Sequence, residues 1–295
     1  MLYSWSHCTT RLFFVKLRVM KLLDGLELVG YIKERQAKQV RALRQSWRVL
    51  PRLAIVQTID DPVIDTYVRL KQAYGEDILV DVDVYKINQS ELAATITRLN
   101  ADELVYGIIV QLPLADPAET QAMVDLIVPE KDVDGLGAGA VLTPATPQAI
   151  DWLLAGYNVT LEGAEIAIVG NGRLVGYPLS QLWHKAGLNV SVYDDATTDL
   201  ADRLIEADII VTATGVPGLI TANMVKPGAV VVDAGTASEH GKIVGDVAGD
   251  VRVLDDITIT PVKGGVGPLT VAALFDNVIT AARKVADARG QQDLG

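Results

Sequence analysis

Glycines that end an apolar run, and acids that follow one strand later, are the residues of this chain most plainly spaced for chemistry. In residues 164–178, Ile166-Ala167-Ile168-Val169 stops on Gly170-Asn171-Gly172, and Arg173-Leu174-Val175-Gly176-Tyr177-Pro178 leads into a helical pattern. A strand that stops on glycines and feeds a helix turns backbone N–H groups, and the positive end of the helix dipole, toward a phosphate. The spacing here is G-x-G-x-x-x-G rather than G-x-G-x-x-G, and a plain tight turn would use the same residues. The second mark of a dinucleotide site is a carboxylate at the tip of the next strand. Residues 189–193 predict that strand, and Asp194-Asp195 follows it. Turn and acids together favour a dinucleotide over an empty turn.

Such a turn needs a parallel sheet around it, and the rest of the chain has the pattern of one. Asp24 is placed to cap a long helix through about Arg48, with Val29, Ile32, Val40 and Leu43 at roughly helical spacing and Pro51 past its end. Residues 53–57 predict a short buried strand, and Pro62 opens a helix to about Tyr74. Residues 78–85 alternate apolar and acidic, as a strand with one wet face does. Ser90 is placed to cap a helix to Leu99; residues 107–110 then form a β-branched strand that brings Gln111 to its carboxyl end, and 117–126 predict a helix. After a loop rich in glycine, alanine and proline, Thr146-Pro147 fits an N-cap with proline at the first helical position. The rhythm resumes with strands near 165–169, 189–193, 209–212 and 229–233. Small residues at 212–215 and 233–236 suit close approach to a cofactor, and the apolar pattern from 269 to 286 is helical. The expected class is α/β, with parallel sheets covered on both faces and ligands at the carboxyl ends of the strands.

At 295 residues the chain can bury a sizeable core in one large or two medium domains. Its net charge of −11, from 26 basic and 37 acidic residues, argues against nucleic acid or an anionic membrane as the main partner. The single cysteine, Cys8, excludes a disulfide framework, and His7, His184 and His240 lack metal-ligand spacing. A reducing, cytoplasmic setting without a metal is expected. Residues 1–20 carry Arg11, Lys16 and Arg18 on both sides of Leu12-Phe13-Phe14-Val15. That order fits neither a secretory signal nor a membrane span, and an unstructured extension before Met20 is expected.

Several motifs now carry a resemblance. Tyr67-x-x-x-Lys71, Val110-Gln111-Leu112-Pro113, Lys131-Asp132-Val133-Asp134-Gly135, Pro144-Ala145-Thr146-Pro147, the glycine turn, Gly245-Asp246-Val247 and residues 261–270 follow one another in order. The set resembles the bifunctional methylene-tetrahydrofolate dehydrogenase/methenyl-tetrahydrofolate cyclohydrolase family, whose corresponding motifs are Y-x-x-x-K, V-Q-L-P, K-D-V-D-G, P-C-T-P, G-R-S-x-x-V-G-x-P, G-D-V and P-V-P-G-G-V-G-P-M-T. It spans nearly everything from Leu23 to Ala282.

The resemblance implies two reactions and a division of labour. Hydride passes from the one-carbon bridge of the folate to NAD(P), a step that needs positioning more than a protein base. Water then opens the methenyl cation, and a lysine beside a cation can have its pKa lowered enough to serve. Lys71 is implied for that step, Gln111 as its hydrogen-bond partner, Tyr67 as a stacking surface one turn earlier on the same helix face, and Asp134 as the acceptor for the pterin's donor edge. Taken one at a time, a solvated lysine, a half-buried tyrosine, an amide cap and a loop aspartate are the ordinary readings; four at family positions reverse the odds. Val110, Leu112, Lys263, Gly264, Gly265, Val266 and Gly267 are implied around the folate, and Gly170, Asn171, Gly172, Asp195 and Thr236 around the dinucleotide. The implied plan is a folate domain of residues 21–147 with a C-terminal helix 268–290, a Rossmann-like domain of 148–267, a cleft between them and a homodimer.

Three departures stand out. Gly170-Asn171-Gly172 replaces G-R-S, and Asp195 stands where the family often has serine near the adenosine ribose. A carboxylate there accepts from ribose hydroxyls and repels a 2′-phosphate, so NAD is expected over NADP, with Arg173 the cation left on the turn. The connection 135–144 is shorter than the family norm, and Lys263 replaces a proline beside the substrate. The same residues also admit two other functions: a dehydrogenase of another small substrate on the same two-domain plan, and a non-catalytic folate- or nucleotide-binding protein.

Overall fold

The computed structural model describes residues 20–239 and 242–292. Residues 1–19 of the expected extension lie outside them, as do Cys8, His7 and His240.

Two parallel sheets enclose a central layer of helices. The smaller has the order β3 (Asp81–Lys86), β2 (Arg52–Gln57), β4 (Gly107–Gln111). The larger runs β1 (Lys21–Leu22), β11 (Thr258–Ile259), β8 (Val230–Asp233), β7 (Ile209–Thr212), β5 (Ile166–Val169), β6 (Val190–Tyr193). A short antiparallel hairpin, β9 (Ala237–Glu239) with β10 (Lys242–Val244), stands apart.

Strand residues alternate between two layers, as a period of two requires. Leu53, Ile55 and Ile109 of the small sheet, with Ile166, Ile168, Ile209, Val211 and Val232 of the large one, all enter a single central core. That core is filled by α1 (Gly25–Ser46), α2 (Pro62–Ile78), α5 (Ala145–Gly156), α6 (Gly176–Lys185) and α8 (Val266–Gln292). On the outer face of the small sheet, Ala54, Val56, Ile108 and Val110 pack with Leu92, Ile96 and Leu99 of α3 (Leu92–Ala101) and Val124 of α4 (Thr120–Val124). On the outer face of the large sheet, Ala167, Val169, Ile210 and Val231 meet Leu204 of α7 (Leu200–Leu204).

Polar bonds lock the central layer. Gln36 of α1, fully buried, donates to Ala272 O of α8 at 2.8 Å and accepts from Tyr74 Oη of α2 at 2.7 Å. Tyr74 also stacks on Phe275, with ring centroids 5.1 Å apart. Asn277 of α8 donates to both Val133 O (2.9 Å) and Thr143 O (2.8 Å), tying down the two ends of the shortened connection.

Some local expectations change. Ile78 closes α2, whose left-handed cap Leu79 (φ 65) turns the chain, so β3 begins only at Asp81. Ser90 is not the cap of the next helix: Asn88 starts a 3-10 turn, with Glu91 Oε2 accepting from Asn88 N at 3.0 Å. Residues 117–126 divide into a 3-10 turn and the five-residue α4. The helix expected to start at Thr146-Pro147 starts at Ala145, because Gln148 N already bonds Pro144 O. Pro147 then falls in the first turn, where a missing N–H costs nothing.

Candidate functional site

The carboxyl edge of the small sheet carries a row of polar residues in register, Lys86, Gln57 and Gln111. All three face α2. Gln111 Oε1 accepts from Lys71 Nζ at 2.7 Å, and Gln111 Nε2 donates to Leu112 O at 3.2 Å, fixing which way the amide points. Asp65, earlier on α2, takes Gln57 Nε2 and Lys86 Nζ, both at 2.8 Å. One helix is therefore held at two points along its length. Asp61 caps it by accepting from Val63 N and Ile64 N. Gln57, absent from the motif set, is a residue that sequence reading missed; its place opposite Gln111 in a parallel register would have marked it.

Tyr67 and Lys71 lie one turn apart on α2, both half-buried. Burial pushes the Lys71 ammonium below its ordinary range, against the pull of Asp134. Burial likewise pushes the Asp134 carboxyl up, against the pull of Lys71 and with some help from Asp132. Desolvation outweighs attraction for both, so each is drawn toward its neutral form. Burial raises the Tyr67 phenol as well.

The Lys131–Gly135 run divides by role. Lys131 Nζ donates to the carbonyls of Leu99 (3.2 Å), Asn100 (2.7 Å) and Asp102 (2.7 Å), closing the end of α3. Asp132, 1% exposed, accepts from Gly135 N at 3.0 Å and Gly137 N at 2.8 Å. It shapes the turn on which Asp134 is carried. Val110 is buried against the α3 side, while Leu112 is half-buried and joined to Pro113 by a cis peptide bond.

The carboxyl edge of the large sheet carries the glycine turn. Gly170 has φ +100, and a Cβ there would press on Ala213 O. Gly176 packs against Gly170 O so closely that no side chain fits. Gly172, by contrast, has open space where a Cβ would stand. The pair that the backbone demands is thus Gly170 and Gly176. The amino end of α6 has no side-chain cap, but Tyr177 N donates to Gly172 O at 3.1 Å and Pro178 has no N–H, so of its first three residues only Gly176 has an amide without an acceptor among the described residues. Asp194 is spent on its own turn, accepting from Ala196 N at 3.1 Å, whereas Asp195 is exposed and has no hydrogen-bond partner among the described residues. Asn171 is exposed, and so is Thr236 beyond the end of β8. These features fit a dinucleotide: a cradle closed to side chains, one unbonded amide at Gly176 and a free carboxylate.

Residues 261–267 lead from β11 of the large sheet into α8. Lys263 is exposed and Gly264 has φ +88; Gly265 and Val266 are buried and Gly267 is exposed. Gly264 O accepts from Leu26 N at 3.1 Å, so this segment is fastened to the start of α1. Sequence reading also missed a buried charge cluster behind the large sheet's edge, made by Asp233, Asp246 and Arg252. Only the Gly245-Asp246-Val247 motif pointed to it.

Comparison with known proteins agrees with this geometry. Residues 23–134 match the catalytic domain of tetrahydrofolate dehydrogenase/cyclohydrolase, and 144–286 match its NAD(P)-binding domain. The bifunctional protein FolD of Paraburkholderia xenovorans is 38% identical over 284 residues, covering 91% of this chain and 98% of that protein. The crystal structure of the bifunctional FolD enzyme of Campylobacter jejuni superposes with a TM-score of 0.84 at 37% identity, over 90% of this chain and 99% of that one. The Trypanosoma brucei dehydrogenase-cyclohydrolase, solved with NADP and an inhibitor, gives 0.85 at 30% identity, over 90% and 98%. These matches favour the folate reading over a different dehydrogenase on the same plan. The chain belongs to the tetrahydrofolate dehydrogenase/cyclohydrolase family.

Proposed function

We propose that this chain oxidises methylene-tetrahydrofolate with a nicotinamide dinucleotide and hydrolyses the methenyl product to formyl-tetrahydrofolate. The observation that carries the reading is the Lys71–Gln111 bond on the carboxyl edge of the small sheet, with Asp134 within electrostatic reach. When bound, the nicotinamide accepts the hydride that the folate nitrogens push off the one-carbon bridge. The chain's part in that step is to hold the two rings face to face. Tyr67 stacks on the folate, Asp134 accepts from the pterin, and Leu112, the backbone at Val110 and residues 263–267 wall the cleft.

In the second step a water oxygen bonds to the methenyl carbon and one carbon–nitrogen bond breaks. Lys71, whose pKa burial lowers, acts in its neutral form: it takes one proton from the water and returns it to the nitrogen that leaves, while the water's second proton is released to solvent with the positive charge as the formyl C=O forms. Gln111 keeps the amine aimed by accepting one of its N–H groups. For the cofactor we favour NAD. Gly170, Asn171 and Gly172 offer backbone without the family's cation and hydroxyl, and the free Asp195 suits ribose hydroxyls and repels a 2′-phosphate. Thr236 lies beside the same site. The working form in this reading is a cytoplasmic homodimer, with residues 21–147 and 268–290 serving folate and 148–267 serving the dinucleotide.

The test is absorbance of reduced nicotinamide on mixing the protein with methylene-tetrahydrofolate and either cofactor. Reduction is expected with both and a higher kcat/KM with NAD. A tenfold preference for NADP, about 1.4 kcal/mol, would sink the cofactor assignment, and no reduction with either would sink the reading. Lys71→Ala should abolish hydrolysis of methenyl-tetrahydrofolate and spare some hydride transfer.

A further inference from the structure

Three strands of the large sheet end on one buried cluster. Asp233 closes β8, Thr212 closes β7, and Thr260 follows β11. Asp246 is fully buried and accepts from Thr212 Oγ1 at 2.7 Å and Thr214 N at 2.6 Å. Asp233 accepts from Asp246 N at 3.0 Å and Val247 N at 3.2 Å. Its own N–H donates to Thr260 Oγ1 at 2.9 Å.

Arg252 completes the cluster, and its fork divides between two loops. Nη2 donates to Asp233 Oδ2 and Nη1 to Thr260 O, each at 2.9 Å. Asp233 leads directly into Ala234-Gly235-Thr236, on the dinucleotide side. Thr260 leads directly into residues 261–267, on the folate side. The two side chains of the ion pair are 19% and 4% exposed, so the fork works where water does not loosen it. Gly235 packs against the Asp246 carboxylate too closely for a side chain. A shift of the loop after β8 therefore has to be passed on through these bonds.

We propose that Arg252 is a positioning residue that couples the two ligand sites, so that ordering of the loop after β8 by the dinucleotide also orders the folate wall. This rests on the functional reading above. Coupling of this kind is reciprocal: each ligand tightens the other by one common factor. A planar guanidinium spans two separate acceptors, and a lysine ammonium does not.

The experiment is calorimetric titration of the full chain with whichever dinucleotide gives the higher kcat/KM, alone and in saturating tetrahydrofolate, which lacks the one-carbon bridge and cannot react. For the unaltered protein, tetrahydrofolate is expected to tighten the dinucleotide by about fivefold or more, the lower end of common couplings. Arg252→Lys keeps a cation beside Asp233, and should lower that factor below about twofold while each ligand alone binds nearly as before. Thr260→Val, which removes the acceptor for Asp233 N and leaves the ion pair, should lower it in the same direction. Full coupling in either variant, or none in the unaltered protein, overturns the proposal. Failure of both ligands to bind the unaltered protein overturns the functional reading instead.

Discussion

Lys71 is pulled two ways, and the balance sets a sign. Burial lowers its pKa more than Asp134 raises it, so in the folded protein the amine loses its proton at a lower pH than it does in the unfolded chain, where the value is about 10.4. Hydrolysis of methenyl-tetrahydrofolate is expected to rise with pH through that lowered pKa, because the neutral amine is the base, while hydride transfer stays level across the same window. The linkage runs in the same direction. The unfolded state binds more protons between the two values, so stability gains as pH climbs through them. Urea midpoints for the unaltered protein and Lys71→Met, measured from neutral to alkaline pH, should converge or cross upward as Lys71 discharges; a midpoint difference independent of pH would contradict the assignment. Lys71, Gln111 and Asp134 were legible in the sequence as motif members. The split between Asp132 and Asp134 was not, because one builds a turn with its carboxylate and the other is carried by that turn, and both are aspartates two residues apart.

At the scale of elements, α8 does more than cover a sheet. Asn277 holds Val133 O and Thr143 O, the carbonyls at either end of the short connection that begins beside Asp134. Asn277→Ala leaves two buried acceptors without a donor, a loss of about 2 kcal/mol. Chemical denaturation should show that loss, and the KM for methylene-tetrahydrofolate should rise while the KM for the dinucleotide holds. Most elements were readable from the sequence because their causes are local: Asp24 and Asp61 cap their helices by direct bonds to the first amides, and β2, β4, β5 and β7 are short apolar runs. What could not be read depends on distant partners. β1 and β11 are two residues each and exist because β1 pairs with β11 and β11 with β8. The cap at Asn88 rather than Ser90, opening the 3-10 turn before α3, turns on a carboxylate three residues on, and Ile78 reads equally well as the last helical residue or the first of a strand until Leu79 takes a left-handed turn.

For the whole molecule, the decisive feature is that both sheets contribute to one central core. Ile55 and Ile109 from one side and Ile168 and Val211 from the other belong to the same packed cluster, with α1, α5 and α8 between them. Two sheets that share a core cannot lose it separately. Heating is expected to give one cooperative transition, with calorimetric and van't Hoff enthalpies in agreement; two resolved transitions would show that the halves fold apart. Most of these strands were legible as short apolar runs, but nothing in such a run says that two strands from different halves face the same helices.

The bundle of helices between the sheets then serves as a common footing. Side chains such as Phe275 and Tyr74, stacked between α8 and α2, belong to the one core that both sheets line, so the two carboxyl edges are carried by a shared interior. A substitution deep in that interior is therefore felt at both edges at once, as a change in how the two halves are set against each other.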